Sequence, residues 1–251
     1  MLRYYGLLWF RPTIKIALCG HATLASARVI FSTPEDQQAD RLEFDTLSGT
    51  LVAKEVPGGS GKIELDFPAS ALEELTAADK LAQVSEVVYA AAGGCVSIRA
   101  VRKAGLFLVA EVDPGFDLEV AAVDDGPLVR PAAPNKKDSP RVTSSLIQSK
   151  FQLGAIILTP SRPTSFRPGA RFVPRVFIVQ SGVPEDRVCR SAHCALAPYW
   201  NRVLDIPPDE VIEARQVGKR SGDLDLIWEQ ENGRVRIQGS AVVTMRGELD
   251  L

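Results

Sequence analysis

Histidine is nearly absent from this chain: among 251 residues only His21 and His193 occur, beside four cysteines, none of them spaced C-x-x-C. Zinc sites draw three or four N and S ligands from short, regular spacings, so no metal site is expected. A basic excess is missing as well. The net charge is −2 and the isoelectric point about 5.8, which leaves no surplus to neutralise nucleic-acid phosphates. Juxtamembrane lysine clusters are absent. No apolar run nears the roughly 18 residues that read as a membrane span. The apolar Leu2–Phe10 segment is short, contains Tyr4 and Tyr5, and has no small-residue cleavage site, so it reads as a strand and not as a leader. The expectation is a cytoplasmic protein with free thiols, binding neither nucleic acid nor membrane. What is present is ordinary globular material, 45% hydrophobic and 24% charged.

Short β-type runs dominate. Arg41–Asp45 and Gly49–Glu55 suit a hairpin, and Lys62–Phe67 alternates cleanly up to Pro68. Ser70 and Glu73 have capping-box spacing, which predicts a helix opening over Ser70–Leu75, with a second over Ala77–Val84. Further strands are expected at Cys95–Arg102, Gly105–Asp113, Leu153–Leu158, Val173–Val179, Ala214–Gln216, Leu224–Trp228, Val235–Gln238 and Ala241–Met245. Leu24–Phe31 and Cys194–Val203 are apolar on nearly every side and read as buried helices. Gly126–Ser145 is rich in Pro and Lys without periodicity, a loop that divides the chain. The fold class is therefore α+β, two lobes that each wrap a sheet around one buried helix.

The two histidines sit in similar settings. Gly20-His21-Ala22-Thr23-Leu24-Ala25 and Ala192-His193-Cys194-Ala195-Leu196-Ala197 share His-x-x-Leu-Ala at the start of an apolar helix. Helix N-termini carry unpaired N–H groups and the positive dipole end, and small residues admit a ligand to the backbone. Two such termini facing one another would suit an anionic, amino-acid-like molecule. Small residues also serve tight helix–sheet packing, and the sequence leaves both readings open.

Several blocks carry a family resemblance. Leu8-Trp9-Phe10-Arg11-Pro12-Thr13 leads into Ala17-Leu18-Cys19-Gly20-His21-Ala22-Thr23-Leu24-Ala25, and Gly182–Val188 runs into Ser191-Ala192-His193-Cys194. Ala214-Arg215-Gln216 and Arg234–Gly239 follow in order. These blocks resemble the PhzF family of phenazine-biosynthesis proteins, over nearly the whole chain. The resemblance implies two pseudo-symmetric lobes of the diaminopimelate-epimerase type: 1–104, joined by a C-terminal strand over 241–251, and 105–240, including the loop 126–145. It also implies a cofactor-free isomerase that moves a proton within a small carboxylate substrate. Its members are often dimers, so a homodimer is an expectation.

Residue by residue, the resemblance points to His21 and Asp186 as the catalytic pair and to Gly20 and Ser191 as substrate contacts. Three departures stand out. The family's acid/base glutamate lies upstream of the strand that here sits close to Met1, so it is expected to be missing. The Thr-Gly that precedes the serine is Cys189-Arg190, where arginine would either crowd the pocket or clamp a carboxylate. The usual Asp-Pro is Asp186-Arg187. Two alternatives remain. Cys19 and Cys189 occupy the positions of the paired thiols of diaminopimelate epimerase and would suit a two-cysteine racemase. A degenerate relative without turnover, holding a ligand or partner on the same scaffold, is the other.

Overall fold

Alternate residues of Lys62–Pro68 are buried, so one face of this strand meets a core and the other meets solvent. The same device recurs through the chain. In a computed structural model, residues 1–10, 15–16, 18–36, 38–58, 61–129, 153–178 and 184–247 are described. The elements in chain order are β1 (Leu2–Gly6), β2 (Trp9–Phe10), β3 (Lys15–Ile16), α1 (Gly20–Phe31), β4 (Arg41–Thr46), β5 (Gly49–Glu55), β6 (Lys62–Pro68), β7 (Glu73–Glu74), α2 (Ala78–Ala91), β8 (Ile98–Ala104) and β9 (Phe107–Val112). They continue with α3 (Gly126–Val129), β10 (Ala155–Thr159), β11 (Arg175–Ile178), β12 (Glu185–Asp186), α4 (Arg190–Val203), β13 (Val211–Gln216), β14 (Gly222–Glu229) and β15 (Arg234–Ser240).

Two mixed sheets result. One has the order β1-β4-β5-β6-β15-β14-β13 and the other β12-β11-β10-β9-β8-β7, so the fold is α+β with two lobes. The first sheet joins strands from both ends of the sequence: β15 runs antiparallel to β6, from Arg234 opposite Pro68 to Ser240 opposite Lys62. The second is continuous from β7 to β12. The 104/105 point at which the sequence suggested a division falls in the β8–β9 hairpin, inside one sheet.

The centre of the second sheet is buried on both faces, which explains why every residue of β10 is buried, while the edge strands β7 and β12 are not. Val109, Ala155 and Ile157 face the core shared with α1, α4 and the first sheet. Leu108, Ala110, Ile156 and Leu158 face the separate core of α2, with Val84, Val88 and Ala91. Helix α4 packs against β14 and β15 on one side and β9 on the other. It is accordingly buried from Ala192 to Asn201, as its all-round apolar sequence requires.

Four expectations need correction. Helix α1 is not buried all round: Gly20, Thr23, Leu24, Ala27 and Phe31 form one buried stripe, while Val29 is exposed. Among the described residues it packs chiefly on β6 and α4, along this one stripe. No helix opens at Ser70. Glu73–Glu74 pairs with Arg102–Lys103 at the sheet edge, Glu74 bonds Arg102 at 3.1 Å, and Ser70 donates its N–H to the Cys194 carbonyl at 2.9 Å. These tertiary partners outweigh a local cap. The described part of the expected C-terminal strand, 241–247, is not a strand. The β15 ladder ends where Ser240 meets Lys62, the first residue of β6. The loop 126–145 begins with the short helix α3, and its remainder lies outside the described residues. No helix among the described residues is long and apolar enough to cross a membrane.

Candidate functional site

Helices α1 and α4 start side by side. Their N-caps are Cys19 and Cys189, both extended, and neither side chain caps its helix. Neither first turn carries an acidic residue of its own, so each helix leaves its positive dipole end open to a nearby anion. A Cβ on Gly20 would collide with Cβ of Arg190 and lie 3.2 Å from its Cδ. Glycine is therefore what lets the two helix starts approach.

This cap-to-cap match aligns Gly20 with Arg190 and His21 with Ser191. It differs by two residues from the alignment of the histidines in the sequence. Two residues turn a helix by roughly 200°, so the histidines diverge. His21 lines a cavity of about 1320 Å³ between the sheets. His193 is fully buried: its Nδ1–H donates to the Cys189 carbonyl at 2.8 Å, and its ring lies against Phe172. Burial pulls His193 down to about 4, so it is a neutral core residue at ordinary pH.

Of the residues singled out from sequence, His21 and Asp186 line the same cavity, at the start of α1 and the end of β12. Gly20 lies buried beneath Arg190. Ser191 is half-buried with its Oγ 3.4 Å from Cys189 Sγ. Neither Cys19 nor Cys189 is part of the cavity wall. Cys189 is buried, and desolvation followed by the charge of Asp186 pushes its thiol up to about 12. Cys19 behaves differently. Burial pushes its thiol up, but hydrogen bonds from His21, with Nε2 at 3.6 Å, and from the Ala22 N–H bring it below its ordinary value. His21 is raised in turn, first by the Cys19 hydrogen bond and then, against desolvation, by the charges of Cys19 and Asp186. The pair is biased toward thiolate and imidazolium.

The His21→Gln variant tests this coupling. Without the imidazole, the Cys19 thiol titrates higher, so its alkylation by iodoacetamide shifts to higher pH while exposed Cys95 keeps its profile. Peptide mass mapping across pH reads both thiols; identical Cys19 profiles in the two proteins would refute the coupling.

Sequence reasoning missed two supports. Gln216 is fully buried, accepts the Cys189 N–H at 2.8 Å and donates Nε2–H to the Asp186 carbonyl at 2.7 Å. It ties the β12–α4 turn, while Asp186 Oδ1 accepts the Val188 N–H at 3.1 Å. Gln216 closes the Ala214-Arg215-Gln216 block of the resemblance, but nothing local in that block gives its side chain this role. Arg167 is the second: it bonds Glu213 at 2.9 Å, the Ala214 and Leu224 carbonyls at 3.0 Å each, and Asp225, which also pairs with Lys62. Its charge on the cavity wall is thereby consumed by the protein.

The chain is similar to known proteins over nearly its whole length. Residues 3–247 match the family model described as phenazine biosynthesis-like protein. The mouse phenazine biosynthesis-like domain-containing protein 1 is 33% identical over 98% of this chain and 77% of its own length. An uncharacterized isomerase from Halalkalibacterium halodurans is 30% identical over 98% of this chain and 78% of its own. The crystal structure of a PhzF-family protein from Enterococcus faecalis superposes with a TM-score of 0.72 at 28% identity, covering 98% of this chain and 78% of that one. With a match that runs nearly from end to end and a shared two-sheet architecture, the chain belongs to the PhzC-PhzF family of phenazine biosynthesis-like proteins.

Proposed function

We propose that the chain is an isomerase that shifts a proton within a small carboxylate carrying an amine or hydroxyl group. The observation that carries this is the placement of His21 and Asp186 on one cavity, from two different elements, with their charges coupled. Asp186 commits Oδ1 to the Val188 N–H, which fixes its orientation and leaves Oδ2 for a substrate donor or an acidic C–H. His21, raised toward its cationic form, holds the opposite role of proton donor. One C–H bond breaks and its electron pair forms a new double bond, while an existing double bond of the substrate opens and its electrons take up the returning proton at another carbon. No electrons leave the molecule, so a cofactor has no part in the balance. Neither cysteine is needed in this scheme; Cys19 serves by holding the charge state of His21.

Incubation of small cyclic and acyclic amino- and hydroxy-carboxylates in D₂O tests the reading. Deuterium should enter one carbon-bound position of at least one compound, detected by NMR, and only with enzyme present. A panel without any exchange, while ligand binding persists, would move the chain to the role of a binding protein.

A further inference from the structure

Arg190 is 7% exposed, an unusual position for a cation. Buried charges are normally paired, because desolvation alone costs several kcal/mol. Even the half-buried arginines of this cavity region obey that rule: Arg167 bonds Glu213 and Asp225, and Arg175 holds Glu185 with bonds at 2.6 and 3.0 Å. Arg190 does not. Its Nε is buried without a partner, and no carboxylate among the described residues pairs with its guanidinium. Burial lowers it to about 10, which still leaves it cationic at neutral pH.

The niche around this side chain is built for it. Gly20 leaves room for its Cβ, Cγ and Cδ, and a Cβ on Gly239 would come within 2.7 Å of its Nη2. The guanidinium so held lies on the cavity wall at the first residue of α4, where the helix dipole adds positive potential. Asp186 shares the cavity and acts on it through charge. We propose that Arg190 is a specificity-determining anion clamp, binding the carboxylate of the substrate by its side chain in place of a bare helix N-terminus. The nearby Asp186 carboxylate disfavours a dianion and favours a monoanion with a donor group. This assignment rests on the same cavity as the isomerase reading, but it concerns binding and stands without turnover.

The probes are acetate, benzoate and cyclohexanecarboxylate, with benzamide as the neutral isostere of benzoate and inorganic phosphate as the dianion. Titration calorimetry on the full chain should show a carboxylate binding more tightly than benzamide or phosphate. In Arg190→Leu, which keeps bulk and removes charge, that affinity should fall by at least about 10-fold, the scale of one charge-assisted hydrogen bond. Arg190→Lys should recover part of it. In the unaltered protein the Arg190 Nε–H NMR signal should shift on carboxylate addition, which decides the matter even if a variant fails to fold. Carboxylate affinity no better than benzamide, equal affinity in Arg190→Leu, or a static Nε–H signal would overturn the clamp. Deuterium exchange that persists in that case would leave the isomerase reading intact, and carboxylate binding without exchange would do the reverse.

Discussion

Asp186→Asn should lower proton exchange by about 10² to 10⁴-fold, the range for removing a positioned acid or base. Asparagine is nearly isosteric, and its carbonyl oxygen can still accept the Val188 N–H that Asp186 Oδ1 accepts now. The Asp186 backbone carbonyl keeps its bond from Gln216. The fold therefore survives the change, and what disappears is one negative charge on the cavity. That charge raises both His21 and Cys19, so its loss lowers both. Two pH readouts follow. If His21 works as the cationic donor, residual activity is lost as pH rises through its own titration, and this alkaline limb moves to lower pH in the variant. Alkylation of Cys19 requires thiolate, so its onset also moves to lower pH. An unchanged exchange rate would remove Asp186 from the chemistry; a lost rate with both pH profiles static would make its role structural.

The fold was legible in the sequence wherever a local pattern coincided with its tertiary use. Alternation in Lys62–Phe67 and the turn before Gly49, where φ is +86°, gave β4, β5 and β6 nearly to the residue. Helix α4 read as buried all round, and it lies between both sheets. Legibility failed where the deciding partner was distant. The capping-box spacing at Ser70 and Glu73 is real, but Arg102 and Val101 compete for this segment from the neighbouring strand. The β15 ladder ends opposite Lys62, the first residue of β6, a pairing invisible at residue 241.

The site divides along the same line. His21 and Asp186 came from blocks that resemble a family, and both lie on the cavity. The shared His-x-x-Leu-Ala motif lies two residues out of step with the helix caps, and of its two histidines only His21 lines the cavity. The caps equate Cys19 with Cys189, and the two-residue offset sends His193 into the core. Arginine at position 190 was open to two readings, crowding or clamping. The glycines at 20 and 239 provide the space that the Arg190 side chain occupies, which supports the clamp proposed above.

That core has its own consequence at Trp200. The Trp200→Ala variant should be destabilised by about 3–5 kcal/mol, the usual cost of deleting a buried large aromatic. Trp200 is fully buried on α4, stacked on Phe172 at 5.7 Å between centroids and edge-on to Tyr199 at 5.1 Å. Its indole N–H donates to Thr159 Oγ1 at 3.1 Å, so truncation also takes away the partner of a buried hydroxyl on β10. Phe172 touches His193 as well, so a cavity at Trp200 loosens the ring that holds the neutral imidazole. The site lies on the same helix, since Arg190 and Trp200 are ten residues apart on α4. Urea unfolding should show a lower midpoint with an unchanged slope. Trp200→Phe should recover much of the loss by restoring the ring but not the N–H. A loss below about 1 kcal/mol would mean that the two sheets do not close on α4 as described.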